Sequence, residues 1–521
     1  MAANPSTEIP ATADALAGIQ DSPLHSPDLA PVSPERRKWG VWNFAALWIS
    51  MAACIPTYML ASSLIGGGMN WWQAVLTVFL GNVIVLIPII LNAHAGTHYG
   101  IPFPVFCRAS FGTVGANVPA LLRALVACGW FGIQAWIGGN AIFKILAVFV
   151  PSLAQAKPLL FLDISAPQLL CFLFFWAINI WVIYKGIDSI RLLLSIKAPL
   201  LIALGLLLLG WAYRGAHGFG PMLSQPSIFD PGQPKHGQFF AYFIPALTGM
   251  VGFWATLSLN IPDFSRYAKT QRDQIVGQTL GLPLTMALYT FIGVAVTSAT
   301  TIIFNLDKPM WDPVDVLTSF KSPWVLILAM LALCIATLAT NIAANVVSPA
   351  NDFAHLAPRY ISFRMGGFIT GIVGILIMPW KLVASPSGYI FTWLVGYSAL
   401  LGPIGGIMVA DYFVFRKRRL NLVDLYNPDG EYRYTNGFSL IGLTALAIGI
   451  LPNLPGFLMT IKCWPKALGT SPFFLTLYGY AWFVGFIISF IVYLVLKYLT
   501  LIMRPNISAR PPGTAVGNPP A

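Results

Sequence analysis

The stretch Phe239–Asp263, FFAYFIPALTGMVGFWATLSLNIPD, decides how the rest of the chain is read. It carries no charge before Asp263 and is long enough to cross a bilayer, which takes about 20 apolar residues in a helix. Pro245, Gly249 and Gly252 fall in its middle and predict an interruption of the i→i−4 ladder there. Freed backbone groups cannot face lipid, so such an interruption has to be buried or line a polar cavity. Trp254 and Ser258 lie one turn apart, so an indole and a hydroxyl share one face. A glycine-kinked span with a packing role is the alternative reading of this segment alone.

The first apolar span, WNFAALWISMAACIPTYMLASSLIGGG, is predicted to break in the same way, at Cys54-Ile55-Pro56-Thr57. It is the first span of the chain, and Phe239–Asp263 is the sixth. Interrupted spans at matching places in two five-helix halves point to an inverted-repeat transporter with a site at the midplane.

Composition agrees. Of 521 residues, 57% are hydrophobic and 9% charged, which excludes an ordinary soluble domain. Hydropathy predicts twelve spans, near 43–65, 72–92, 119–149, 167–184, 196–214, 239–261, 278–303, 323–347, 366–383, 389–413, 438–457 and 475–500. The net charge of +12 is scattered between apolar runs and makes no continuous stripe, so no nucleic-acid partner is indicated. An amino terminus in the cytoplasm assigns 21 of the 30 Lys and Arg to the inner side and 9 to the outer. The expectation is a multi-pass protein of the cell membrane with both termini cytoplasmic. The six cysteines form no CxxC pair, and no GxxxxGKS, nucleophile elbow or HExxH is present, so neither a metal or disulfide framework nor an enzyme is read here.

The domain reading places a disordered, Pro- and Ser-rich tail at 1–38 and a first repeat at 39–214. A second repeat follows at 215–413, then two peripheral helices at 414–503 and a disordered tail at 504–521.

Two constellations stand out within the spans. Trp130 and Gln134 in the third share a helical face, either as a stacking platform beside an amide or as interhelical packing. Asn341 and Asn345 in the eighth repeat that spacing, with Thr337 and Thr340 on the preceding turns, facing either a site or a partner helix. Asp263, Asp352 and Asp411 fall at inner ends, beside basic or loop residues. No buried-carboxylate proton relay is visible at the midplane; His94 and His98 are the better-placed proton carriers.

The chain resembles the nucleobase–cation symporter family, the first of the two classes of that name. The likeness runs from about Lys38 to Tyr498. It rests on PTYMLASSLIGGGMNWWQ (Pro56–Gln73), GTHYGIPFPVFCRASFG (Gly96–Gly112), NVPALLRALVACGWFGIQAWIGG (Asn117–Gly139), FWATLSLNIPDFSRYAK (Phe253–Lys269), TNIAANVVSPAND (Thr340–Asp352), MPWKL (Met378–Leu382) and GYSALLGPIGGIMVADYF (Gly396–Phe413). Plant plastid nucleobase carriers and bacterial allantoin permeases look most similar.

The resemblance implies an all-α polytopic protein of 12 transmembrane helices. Ten form a 5+5 inverted-repeat core of the leucine-transporter type, and two are peripheral. It implies a small planar heterocycle sandwiched between Trp130 and Trp254, with Phe253 beside it. Gln134 and Asn345 bond the ring and Asn341 supports them. The first-helix pocket position falls on Cys54, where some members carry an amide. Sodium-dependent relatives hold their ion between the first and eighth helices, at positions matching Ser50, Ala53, Ala336, Ala339 and Thr340. A hydroxyl is missing at Ala339, so a weaker Na⁺ site or H⁺ coupling follows. The function implied is secondary-active import of uracil, a purine, allantoin or a hydantoin with a cation, and no cofactor beyond that ion. An amino-acid, amine or thiamine-type carrier on the same scaffold is the alternative.

Overall fold

The computed structural model describes residues 17, 19–185, 187–320, 322–465, 467 and 469–503, with the backbone alone for 187–199. The disorder expected at 1–16 and 504–521 falls outside the described residues.

Helix occupies all twelve stretches read as spans. In chain order the main elements are α1 (Val41–Ala52), α2 (Ile55–Gly66), α3 (Trp71–Tyr99), α4 (Phe103–Phe111), α5 (Asn117–Phe149), α6 (Ala166–Lys185), α7 (Ile187–Gly215), α8 (Phe239–Phe253), α9 (Ala255–Asn260), α10 (Gln271–Phe304), α11 (Pro313–Thr318), α12 (Pro323–Asn345), α13 (Val347–Leu356), α14 (Phe363–Leu376), α15 (Val395–Val409), α16 (Leu440–Ile450) and α17 (Ala481–Ile502). Among the described residues eight helices are long and apolar enough to span a bilayer, and the bent pair α1–α2 makes a ninth. The fifth, sixth and ninth stretches contribute shorter apolar helices.

Packing divides the helices into two groups. α1, α2 and α3 pack on α10, and α8 and α9 pack on α3; α6, α12 and α14 pack on α5. Close approach is bought with small residues, as expected where lipid supplies no hydrophobic drive between helices. A Cβ on Gly281 of α10 would lie 2.8 Å from the Trp48 Cβ and 3.0 Å from the Ala45 backbone of α1.

Three features depart from the sequence reading. The sixth span does not break at Pro245, Gly249 or Gly252: α8 runs through all three and stops at Trp254. Gly252 serves packing instead, since a Cβ there would meet Ser398 Oγ at 2.1 Å and the Leu394 carbonyl at 2.9 Å. Residues 19–38 are not a solvated tail. Ile19, Leu29 and Val32 are buried, and the strap is tied down by Val32 N–H to Gly100 O, Tyr426 Oη to Leu29 O, Arg266 to Asp28 O and Arg108 to Leu24 O. Apolar residues spaced through a Pro-rich stretch supplied the anchor that overall composition hid. Finally, α4, outside every predicted span, is buried along its whole length between the two groups.

Candidate functional site

Two interruptions shape the centre. α1 and α2 meet at 58°, across Ala53 and an extended Cys54 (φ −151°, ψ 161°). Pro56 explains the stop, because its ring would clash with the carbonyl four residues back if α1 continued. The Pro56 carbonyl, in the first turn of α2, accepts from the Tyr389 hydroxyl at 3.2 Å, and the Cys54 thiol pairs with Thr57 Oγ1 at 3.2 Å. Trp254 interrupts the sixth span with a non-helical φ of −105° and ψ of 10° before α9 resumes.

Between the breaks lies a small cavity of about 30 Å³. Cys54, Trp130, Gln134, Phe253, Trp254, Thr340 and Asn345 of the expected set all line it. Met51, Pro56, Thr256 and Leu257 beside the two breaks, and Ala344 next to Asn345, line it too and were not anticipated; those positions were the available signal. Asn341 stands behind, where its amide donates to Phe131 O at 3.2 Å and Asn179 Oδ1 at 3.1 Å while its oxygen accepts from Asn345 Nδ2 at 3.1 Å. Asn345 is thereby oriented through a bonded relay.

The indole arrangement differs from an open sandwich. Phe253 packs edge-on against both tryptophans, 5.2 Å from Trp130 and 4.9 Å from Trp254. Trp48 stands edge-on behind Trp254 at 5.1 Å, and Trp393 and Tyr397 back Trp130 at 5.8 and 6.4 Å. A cavity this small holds one or two waters, so the Phe253 ring or a helix group has to move before a heterocycle fits.

Two polar atoms at this cavity have no hydrogen-bond partner among the described residues: the indole N–H of Trp254 and Oε1 of Gln134. One donates and the other accepts. Buried orphan groups of this kind cost about 1–3 kcal/mol each until a ligand meets them.

At the positions read as cation ligands, Ala53, Ala336, Ala339 and Thr340 are buried and α1 touches α12. Thr340 Oγ1 already donates to the Ala336 carbonyl at 2.8 Å, and Ala339 brings no side-chain oxygen. Two of the five positions therefore partner each other. Carbonyl and hydroxyl oxygens suit a hard cation such as Na⁺, and the Thr340 hydroxyl keeps its lone pairs for one while donating to Ala336.

A wider vestibule of about 790 Å³, lined by Asn70, Tyr242, Lys308 and Trp311 among others, lies beyond the cavity. Tyr389 separates the two, with its ring 6.3 Å from Trp311 on one side and 6.2 Å from Trp130 on the other.

The family model described as a permease for cytosine/purines, uracil, thiamine and allantoin matches residues 31–485. The chain belongs to this permease family. The permease is 46% identical over 475 residues to a purine-uracil permease of Arabidopsis thaliana, covering 91% of this chain and 78% of the relative. It is 41% identical over 479 residues to an allantoin permease of Bacillus subtilis (strain 168), covering 92% and 94%. Its fold is that of Mhp1, solved in an inward-facing conformation, with a TM-score of 0.73, 25% identity and coverage of 93% and 96%. Mhp1 is also known as a nucleobase-cation-symport-1 family transporter closed around bromovinylhydantoin, with a TM-score of 0.72 to this permease. The protein is thus a multi-pass helical membrane permease.

Proposed function

We propose that this permease imports a flat ring heterocycle carrying neighbouring C=O and N–H groups, of the uracil, purine, allantoin or hydantoin kind, together with a cation. The observation that carries the reading is the pairing, in one cavity walled by Trp130 and Trp254, of an unmatched acceptor on Gln134 and an unmatched donor on Trp254. A ring lactam offers the complementary donor and acceptor on one edge. Stacking on an indole adds about 1–3 kcal/mol per ring by analogy with base recognition. Relatives bearing purine-uracil and allantoin permease names support the same chemistry.

The cycle is alternating access. The α1–α3, α8–α10 group rocks against the α5, α6, α12, α14 group, opening the cavity first to the vestibule past Tyr389 and then to the inner face. In this reading residues 39–214 and 215–413 are inverted repeats, 414–503 add two peripheral helices, and both termini are cytoplasmic in the cell membrane. The coupling ion is H⁺ or Na⁺.

Uptake of radiolabelled uracil into proteoliposomes, competed by a panel of purines, allantoin and hydantoins, tests the substrate class. Competition by ring lactams with none by amino acids, amines or thiamine is the expected result. The converse pattern establishes the rival carrier.

A further inference from the structure

Along α12 and α13 the residues Thr337, Asn341, Asn345, Ser348 and Asp352 recur at intervals of three and four, so they form one polar stripe. It runs from the substrate cavity, at Asn345, to a carboxylate fully buried at the inner end. Ser348 meets the Asn260 amide from the end of α9, and the same amide reaches Asp263 Oδ2 at 3.4 Å. The stripe therefore joins the substrate amides to a pair of acids, one on each helix group.

The charges around those acids do not balance. Arg123 Nη1 donates to Asp352 Oδ2 at 2.9 Å, both side chains being fully buried. Asp263, 4% exposed, lies within electrostatic reach of Asp352, and its Oδ1 accepts from the Phe103 N–H at 2.9 Å. The other titratable neighbours are Cys107 on α4 and His355 on α13. His355 Nε2 accepts from Arg108, whose remaining bonds go to the Leu425 and Leu24 carbonyls. Arg266, also buried and three residues past Asp263, gives its Nη1 to the Asp28 carbonyl, so among the described residues only one guanidinium, that of Arg123, hydrogen-bonds to either of these two carboxylates. By contrast Asp411, the third inner acid, is matched by Arg416, Ser110 and Tyr493.

Polar atoms are also left over. Asp352 Oδ1, Asn260 Oδ1 and the Arg123 Nε and Nη2 have no partner among the described residues. A surplus negative charge in a desolvated pocket is expensive unless it is paired or neutralised. A single proton cancels the surplus and supplies the O–H donor that the orphaned Asn260 and carboxylate oxygens lack.

We propose that the Asp352–Asp263 pair, with Arg123 and Asn260, is the binding site of the proton that moves with the substrate. This rests on the carrier reading above and names its coupling ion. Asp263 belongs to the segment after α9 and Asp352 to α13, so the site straddles the seam between the two helix groups. Rocking apart on the inner side hydrates and separates the acids, and the proton leaves to the cytoplasm. Ser348 and Asn345 transmit its presence to the ring site.

The test uses the purified full chain in proteoliposomes with radiolabelled uracil and allantoin. Wild type is expected to take up a ring with substrate-evoked proton influx. Its uptake should fall by about tenfold per pH unit above the titration of the site. Asp352→Asn and Asp263→Asn are each expected to lose proton influx and pH dependence while retaining exchange of internal for external substrate. Two variants guard against misfolding of one. Persistence of substrate-evoked proton influx in variants that still exchange overturns the assignment. So does wild-type uptake that ignores pH and collapses when choline replaces Na⁺. A chain that exchanges none of these rings overturns the carrier reading and this proposal with it, whereas the first two results leave the carrier reading standing.

Discussion

Gly252 lets the sixth and tenth spans touch, and adding one methyl there measures how much the contact is worth. The methyl of Gly252→Ala would lie 2.1 Å from Ser398 Oγ and 2.9 Å from the Leu394 carbonyl oxygen. The serine can rotate, but it then gives up its own 2.6 Å bond to Leu394 O, worth about 0.5–1.5 kcal/mol. The carbonyl belongs to helical backbone and cannot turn aside. Restoring ordinary van der Waals distance to it requires α8 and α15 to part by about 0.5 Å or more. Overpacking of this kind costs about 1–3 kcal/mol. The segment leading into α15 carries Tyr389 and Trp393, which pack on Trp130, so parting these helices disturbs the cavity as well as stability. Purified Gly252→Ala is expected to melt at lower temperature and to transport several-fold more slowly. Adding Ser398→Ala removes the closer clash and should recover part of both losses. A Gly252→Ala protein that melts and transports as wild type refutes the packing argument, as does a double variant with no recovery.

Two further outcomes follow elsewhere in the molecule. Tyr426→Phe removes the 2.6 Å bond to the Leu29 carbonyl, which should loosen the strap by about 1 kcal/mol and speed tryptic cleavage at Arg36–Lys38. Unchanged cleavage would mean the strap is held by its apolar residues alone. At the N-terminus of α11, burial and then the neighbouring Asp315 raise the Asp312 carboxyl to about 7. A carboxyl raised in the folded state contributes stability that is complete below its unfolded value of about 4 and is lost as pH rises through about 7. Hydrogen exchange at the Val316 amide, which donates to the Asp312 backbone carbonyl at 3.1 Å, should therefore show weakening protection from pH 5 to 8 beyond the intrinsic rate. Asp312→Asn, which keeps the acceptor without the charge, should abolish that trend.

The helical architecture was legible because each span advertises itself by length and apolarity, and the first break by Pro56 within a run of small residues. The second break was placed wrongly by the same logic. Proline at position 245 and glycines at 249 and 252 are tolerated inside α8, where tight packing on the tenth span needs small residues, and the helix is instead interrupted at a bulky Trp254. Local propensity cannot reveal that, because the reason lies in a partner helix more than 130 residues away. The cavity residues were legible as polar groups at helical spacing, but Phe253 as a wedge, Trp48 behind Trp254 and Asn179 beneath Asn341 depend on tertiary contacts. The inner acids looked like solvated span ends. Their burial comes from distant partners: Phe103 and Ser110 of α4 on Asp263 and Asp411, Arg123 of α5 on Asp352, and Tyr493 of α17 on Asp411.

The central claim is that a flat ring is held at the cavity between Trp130 and Trp254 by stacking and by the Gln134 amide. Equilibrium binding of radiolabelled uracil and allantoin to purified wild type, Trp130→Ala and Gln134→Leu tests it most directly. Loss of stacking, about 1–3 kcal/mol, predicts at least fivefold weaker binding to Trp130→Ala, and the apolar isostere at 134 should weaken it comparably while the protein stays folded. Wild-type affinity in both variants would contradict the account.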